Sequence, residues 1–142
     1  MNSDVYSHFV QYYETDKMGI THHSNYIRWM EEARVHYLEK IGWSFVKFEE
    51  SGLISPVVSV SGKYLSGCKF ADTVLIYVNV SSVKGARFTL TYEMVREEGG
   101  EKVFEGESVH CFKNPDGIPL RLERDLPEFY AELSRQMERG KK

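Results

Sequence analysis

Tyr12-Tyr13-Glu14-Thr15-Asp16-Lys17-Met18-Gly19-Ile20-Thr21-His22-His23-Ser24-Asn25-Tyr26, continuing through Ile27-Arg28-Trp29-Met30-Glu31-Glu32-Ala33-Arg34-Val35-His36 to Tyr37, is the stretch on which the reading of this chain turns. Its first residues close a strand. A polar turn follows, with Asp16 and Gly19, and Gly19 permits the positive φ that a sharp reversal needs. From Ser24 the spacing changes. Tyr26, Met30, Ala33, Tyr37 and Ile41 recur every three or four residues, with Ile27, Arg34 and Leu38 beside them, which predicts an amphipathic helix over residues 24–41. Ser24 or Asn25 is the expected cap, and Gly42 marks the stop. An acid, a glycine turn and a helix start thus fall within about ten residues, and free N–H groups at a helix start stabilise negative charge nearby.

Outward from this segment, residues 4–14 alternate loosely as a first strand. Trp43 to Ser51 reads as a short second helix closed by Gly52. The remainder is β in character: Leu53–Tyr64, Phe70–Val83, Arg87–Glu97 and Lys102–Lys113. Lys84-Gly85-Ala86 and Glu98-Gly99-Gly100-Glu101 are tight connections, and Asn114-Pro115-Asp116-Gly117 is a turn. Asp125 is placed to cap a last helix running from Pro127 to about Arg139, with a frayed tail at Gly140-Lys141-Lys142. Strand, long helix, four strands and a terminal helix specify an α+β fold. The long helix needs a face to bury, and an antiparallel sheet wrapped around it supplies one. Arg34 with Glu31 and Glu32 gives that helix a polar edge, read as an i,i+3 pair.

The 142 residues fit one domain, residues 1–142. A net charge of −3 argues against a general nucleic-acid binder. The first residues lack the apolar core of a secretion signal, and no apolar run nears the roughly 20 residues of a membrane span. Cys68 and Cys111 show no metal or redox spacing, so reduced thiols and a cytoplasmic location are expected. By spacing alone, Asp16 is more often a turn residue than a catalyst, and His23 more often a hydrogen-bond partner. His22, His23 and Asp16 lack a third metal ligand at recognisable spacing, so no metal is expected. Ser24 lacks the context of a hydrolase nucleophile. Trp29, Tyr37 and Phe45 are expected in the core rather than in a pocket.

Tyr12-x-x-x-Asp16-x-x-Gly19-x-x-x-His23-x-x-Tyr26, followed by Arg28-Trp29-Met30-Glu31-Glu32-Ala33-Arg34, resembles the signature of the 4-hydroxybenzoyl-CoA thioesterase-like acyl-CoA thioesterases, which have the hot-dog fold. A weaker likeness runs through Ser55-Pro56-Val57-Val58, Tyr64, Asp72-Thr73-Val74-Leu75-Ile76 and the last strand. The resemblance implies that Asp16 is the catalytic carboxylate, as nucleophile or general base. It implies that the His23 backbone N–H polarises the thioester carbonyl and that Tyr12 places a hydroxyl nearby. Ser55, Pro56 and Val57 would line the pantetheine arm, and Lys84 and Arg87 would meet the phosphates of coenzyme A. The implied reaction is hydrolysis of an acyl-CoA to acid and coenzyme A with no cofactor, by a homodimer or homotetramer whose site lies at a subunit boundary. A thioesterase for acyl carrier protein and a non-catalytic module binding acyl thioesters are the alternatives.

Overall fold

Residues 5–140 are described by the computed structural model, so Asp4 at the start of the expected first strand, and Lys141 and Lys142 of the expected frayed tail, lie outside the described residues. The elements in chain order are β1 (Tyr6–Phe9), a 3-10 turn (Tyr12–Glu14), α1 (Ser24–Lys40), α2 (Phe45–Glu50), β2 (Val57–Tyr64), β3 (Thr73–Lys84), β4 (Arg87–Arg96), β5 (Lys102–Cys111), α3 (Leu122–Asp125) and α4 (Pro127–Gly140). The fold is α+β, with one five-stranded antiparallel sheet in the order β1-β3-β4-β5-β2. The first strand is shorter than its alternation predicts. It ends at Phe9, and Tyr12–Glu14 coil into the 3-10 turn because the buried Glu14 carboxylate accepts the Gln11 N–H at 2.8 Å.

The helix boundaries follow local chemistry. α1 has no interior Gly or Pro over its 17 residues. It stops in a Schellman pattern: Gly42 takes φ +93°, the Gly42 N–H reaches the Glu39 carbonyl and the Trp43 N–H reaches Leu38. Its start departs from expectation. Ser24 and Asn25 lie inside the first turn, and the His22 imidazole accepts the Ser24 N–H at 3.2 Å. Asp125 also departs. It closes α3 by accepting the Arg121 N–H at 2.8 Å and pairing with Arg124, so it is spent before α4 begins.

Contacts cluster in two compact units. The first holds the described part of Met1–Tyr37 with Gly62–Val78 and Tyr92–Gly106. Here β1 pairs antiparallel with β3, Tyr6 opposite Ile76 and Phe9 opposite Thr73. Tyr26 stacks on Phe104 of β5 with centroids 5.1 Å apart, and Trp29 lies against His8 at 4.5 Å. The expected stripe of Tyr26, Met30, Ala33 and Tyr37 is buried, and Trp29 widens it on one side while Ile27 is half exposed. The second unit holds Leu38–Ser61, Asn79–Thr91 and the described part of Glu107–Lys142. Its core is an aromatic cluster. Phe48 of α2 packs on Phe112 at 4.5 Å and on Phe129 of α4 at 5.1 Å, and Trp43 meets Phe129 at 5.3 Å. Such ring pairs add about 0.5–1.5 kcal/mol each beyond the area they bury.

Candidate active site

The Asp16 loop belongs to the first unit, and its own backbone closes it. Thr15 and Thr21 form an antiparallel bridge, the Asp16 N–H donates to the Ile20 carbonyl at 2.8 Å, and the Gly19 N–H returns to the Asp16 carbonyl at 2.9 Å. Gly19 sits at φ +82°, where a side chain would be strained. The Asp16 Oδ1 accepts the Met18 N–H at 2.8 Å, an Asx turn. The carboxylate therefore does fill the turn role that its spacing favours. It makes no other hydrogen bond among the described residues, and its residue is partly exposed.

The loop is anchored at both ends. At its far end, the Thr21 N–H and hydroxyl donate to the Cys68 carbonyl at 2.8 and 3.0 Å. Cys68 is buried, and its thiol lies 3.4 Å from the Tyr26 hydroxyl; burial and the thiol together raise the Tyr26 pKa. At the near end, the Glu14 carbonyl accepts the His22 N–H at 2.8 Å and the Asn25 Nδ2–H at 2.9 Å. Asn25 is buried, so its amide stitches the helix start to the strand exit rather than capping α1.

His23 is exposed. Its ring stacks on His22 at 4.2 Å, and its carbonyl accepts the Tyr64 hydroxyl at 3.3 Å. Among the described residues its N–H donates no hydrogen bond, which makes it an unspent donor just before the α1 start. Tyr12 is 76% exposed and meets Phe70 edge-on at 5.7 Å; its hydroxyl makes no bond to Asp16. Among the described residues no three metal-ligating side chains converge. Ser108 and His110 form a hydroxyl–imidazole pair at 2.7 Å, but they are 0% and 2% exposed, so a substrate does not reach them.

In the second unit, Pro56, Val57 and Arg87 line one cavity of about 440 Å³, together with Val58, Ala86 and Lys113. Ser55 is the chain neighbour of that wall. Lys84 instead lines a separate hollow of about 380 Å³ with Arg121 and Arg124. The two cations of the β3–β4 hairpin are thus divided between two hollows. They flank the two-residue turn Gly85-Ala86, and a count of basic residues does not reveal that they part there.

Sequence reasoning missed Glu14, the most connected residue near the loop. Only 5% of it is exposed. Burial acts to raise its carboxyl pKa, but the Gln11 N–H, His8 and Trp29 outweigh burial and hold it below its ordinary value of 4.5. No periodicity marks such a residue. Glu31 pairs with Arg34 as an i,i+3 contact at 3.8 Å, as expected, but Glu32 turns inward to Tyr6 and His8.

The model of the thioesterase-like superfamily matches residues 10–135. A Bacillus subtilis protein assigned only provisionally as an acyl-CoA thioesterase is 26% identical over 86% of this chain and 88% of its own length. The 4-hydroxybenzoyl-CoA thioesterase of Pseudomonas sp. is 24% identical over 87% of this chain and 92% of its own. The structure of a DHNA-CoA thioesterase from Staphylococcus aureus superposes with a TM-score of 0.86 and 31% identity, covering 92% of this chain and 88% of that one. With 126 of its 142 residues spanned by one family model, and the Asp16 loop within them, this chain belongs to the thioesterase-like superfamily.

Proposed function

We propose that the chain is an acyl-CoA thioesterase, acting as one domain over residues 1–142, in which Asp16 and the His23 amide perform the hydrolysis. The observation that carries this reading is a half-engaged carboxylate on a closed loop whose stem leads, through the bond from the His22 N–H to the Glu14 carbonyl, to an unspent N–H just before α1. As general base, Asp16 takes a proton from water while the water oxygen bonds to the thioester carbon. The negative charge that develops on the carbonyl oxygen is met by the His23 N–H, a contact worth about 3–4 kcal/mol by analogy with lost oxyanion donors. The tetrahedral intermediate then collapses, the C–S bond breaks, and coenzyme A leaves as thiolate. As nucleophile, Asp16 forms an acyl anhydride that water cleaves afterwards. Thiolate leaves readily, so no strong acid is needed. Tyr12 is exposed on the 3-10 turn and serves as a contact to the entering acyl group.

For coenzyme A, the cavity lined by Pro56, Val57, Arg87 and Lys113 supports a pantetheine path ending on cations, with Ser55 at its margin. Lys84 adds positive charge from the separate hollow with Arg121 and Arg124. The assembly is a homodimer or homotetramer in the cytoplasm, and no cofactor takes part. The exposed edge strand β2 supports the pairing.

The test is release of free thiol from a panel of aliphatic and aromatic acyl-CoAs and one acyl carrier protein thioester. Asp16→Asn and Asp16→Ala are expected to lower turnover by at least ~100-fold, the low end for losing a general base, with unchanged circular dichroism. Turnover near wild type in folded Asp16→Ala would remove Asp16 from the chemistry.

A further inference from the structure

Glu14 sends a charged carboxylate into the interior beside the Asp16 loop. Its Oε1 accepts the Gln11 N–H at 2.8 Å and faces His8 Nε2 at 2.8 Å, and its Oε2 accepts the Trp29 indole N–H at 2.8 Å. The other ring nitrogen of His8 faces Glu32 at 3.2 Å, and Glu32 also accepts the Tyr6 hydroxyl at 2.8 Å. Charge-assisted bonds of this kind are roughly twice as strong as neutral ones and fix direction as well as distance. The same residue works through its backbone. Its carbonyl holds the His22 N–H and the Asn25 amide. Asp16 follows Glu14 by two residues, and His23 follows His22 by one. Both catalytic groups therefore hang from Glu14. Asp16 is held through the loop stem and the His23 amide through His22, while Trp29 fixes the rotation of α1 against the same carboxylate.

We infer that Glu14 is a positioning residue for hydrolysis: with His8 and Trp29 it sets the separation between the Asp16 carboxylate and the His23 amide. The inference rests on the reading of Asp16 and His23 given above. A purely structural role would cost stability and leave the rate per folded molecule alone. A positioning role acts on turnover, because the ground-state grip on coenzyme A belongs to other residues.

Glu14→Gln isolates the charge. Either orientation of the amide sets one of its N–H groups against the N–H of Gln11 or of Trp29, so the clamp loosens while the volume is kept. Trp29→Phe cuts the arm to α1, and Glu14→Asp keeps the charge on a shorter stem. Steady-state hydrolysis of an acyl-CoA turned over by the wild type is measured well below each variant's Tm. Glu14→Gln is expected to lose ~10-fold or more in kcat with KM within ~2-fold, part of the ~100-fold that a 1 Å misplacement can cost. Glu14→Asp recovers part of that loss. Trp29→Phe loses kcat in the same way, and the double variant falls no further than the worse single one. In an Asp16→Asn background, Glu14→Gln produces a smaller further loss than in the wild type, because only the His23 amide remains to be positioned. Folded Glu14→Gln with kcat within ~2-fold of wild type and only a lowered Tm overturns the inference. If Glu14→Gln does not fold, Trp29→Phe decides on the same criterion. Full activity of Asp16→Asn, or no acyl-CoA hydrolysis by the wild type, would instead defeat the underlying reading, so the two failures are distinguishable.

Discussion

Asp16 and Glu14 lie two residues apart, yet their surroundings differ in kind. Asp16 is partly exposed, with one oxygen on a backbone N–H, whereas Glu14 is buried with both oxygens engaged. A carboxylate that reacts needs a free lone pair, and one that positions needs none. The depressed pKa of Glu14 also predicts acid sensitivity. A group whose folded pKa lies below its unfolded value stabilises the fold above the unfolded pKa, and that stabilisation is lost as pH falls through the folded one. Tm is therefore expected to decline as pH drops below about 4.5, with Glu14→Gln lacking that part of the decline. Scanning calorimetry from pH 7 to pH 3 checks it, and parallel acid limbs for the two proteins would contradict it. Asn25 makes a second residue-level prediction. Asn25→Ala removes the donor to two carbonyls, at 2.9 and 3.3 Å, and should cost about 1–3 kcal/mol in urea unfolding.

At the scale of elements, α1 and β2 meet the reading of the chain differently. The α1 interval was legible because a 3.6-residue period, an uninterrupted interior and Gly42 agree with one another. Its capping was not, since an imidazole from outside the helix does the work usually assigned to a hydroxyl within reach. In β2, Gly62 looks like a weak point of a strand, but it is there for close approach. A Cβ at that position would overlap the Phe104 ring, with Cε1 only 2.7 Å away, and Phe104 is pinned between Tyr26 and Tyr64. Gly62→Ala should therefore lower stability by about 1–3 kcal/mol, as overpacking does, rather than gain the usual benefit of Gly→Ala. A higher urea midpoint for Gly62→Ala would show that the ring gives way.

For the whole molecule, β2 is the element that a lone chain leaves unfinished. Every residue of β2 is exposed, on both faces, and the strand lies at the sheet edge, with Val57 48% and Val58 and Val60 each 38% exposed. Exposed edges of that kind are normally paired or blocked. Light scattering after gel filtration is expected to give at least twice the 16.5 kDa chain mass. Val60→Pro, which takes a backbone N–H from this edge strand, should shift the protein towards monomer and lower kcat/KM with it, if the site is completed across the boundary. A fully active monomer would separate the site from assembly.

The amino-acid sequence by itself determined the order of the strands and longer helices, the α+β class, the long helix and the turn bearing Asp16, Gly19 and His23. Each of these depends on short-range rules: period, turn chemistry and backbone freedom within a few residues. Only the tertiary structure decided that Glu14 is buried against His8 and Trp29, that Asn25 is a stitch rather than a cap, and that Lys84 and Arg87 line different hollows. Those outcomes depend on which side chains from distant segments share one low-dielectric space. There a single charge is stable only when every partner is in place, and no local pattern records the partners.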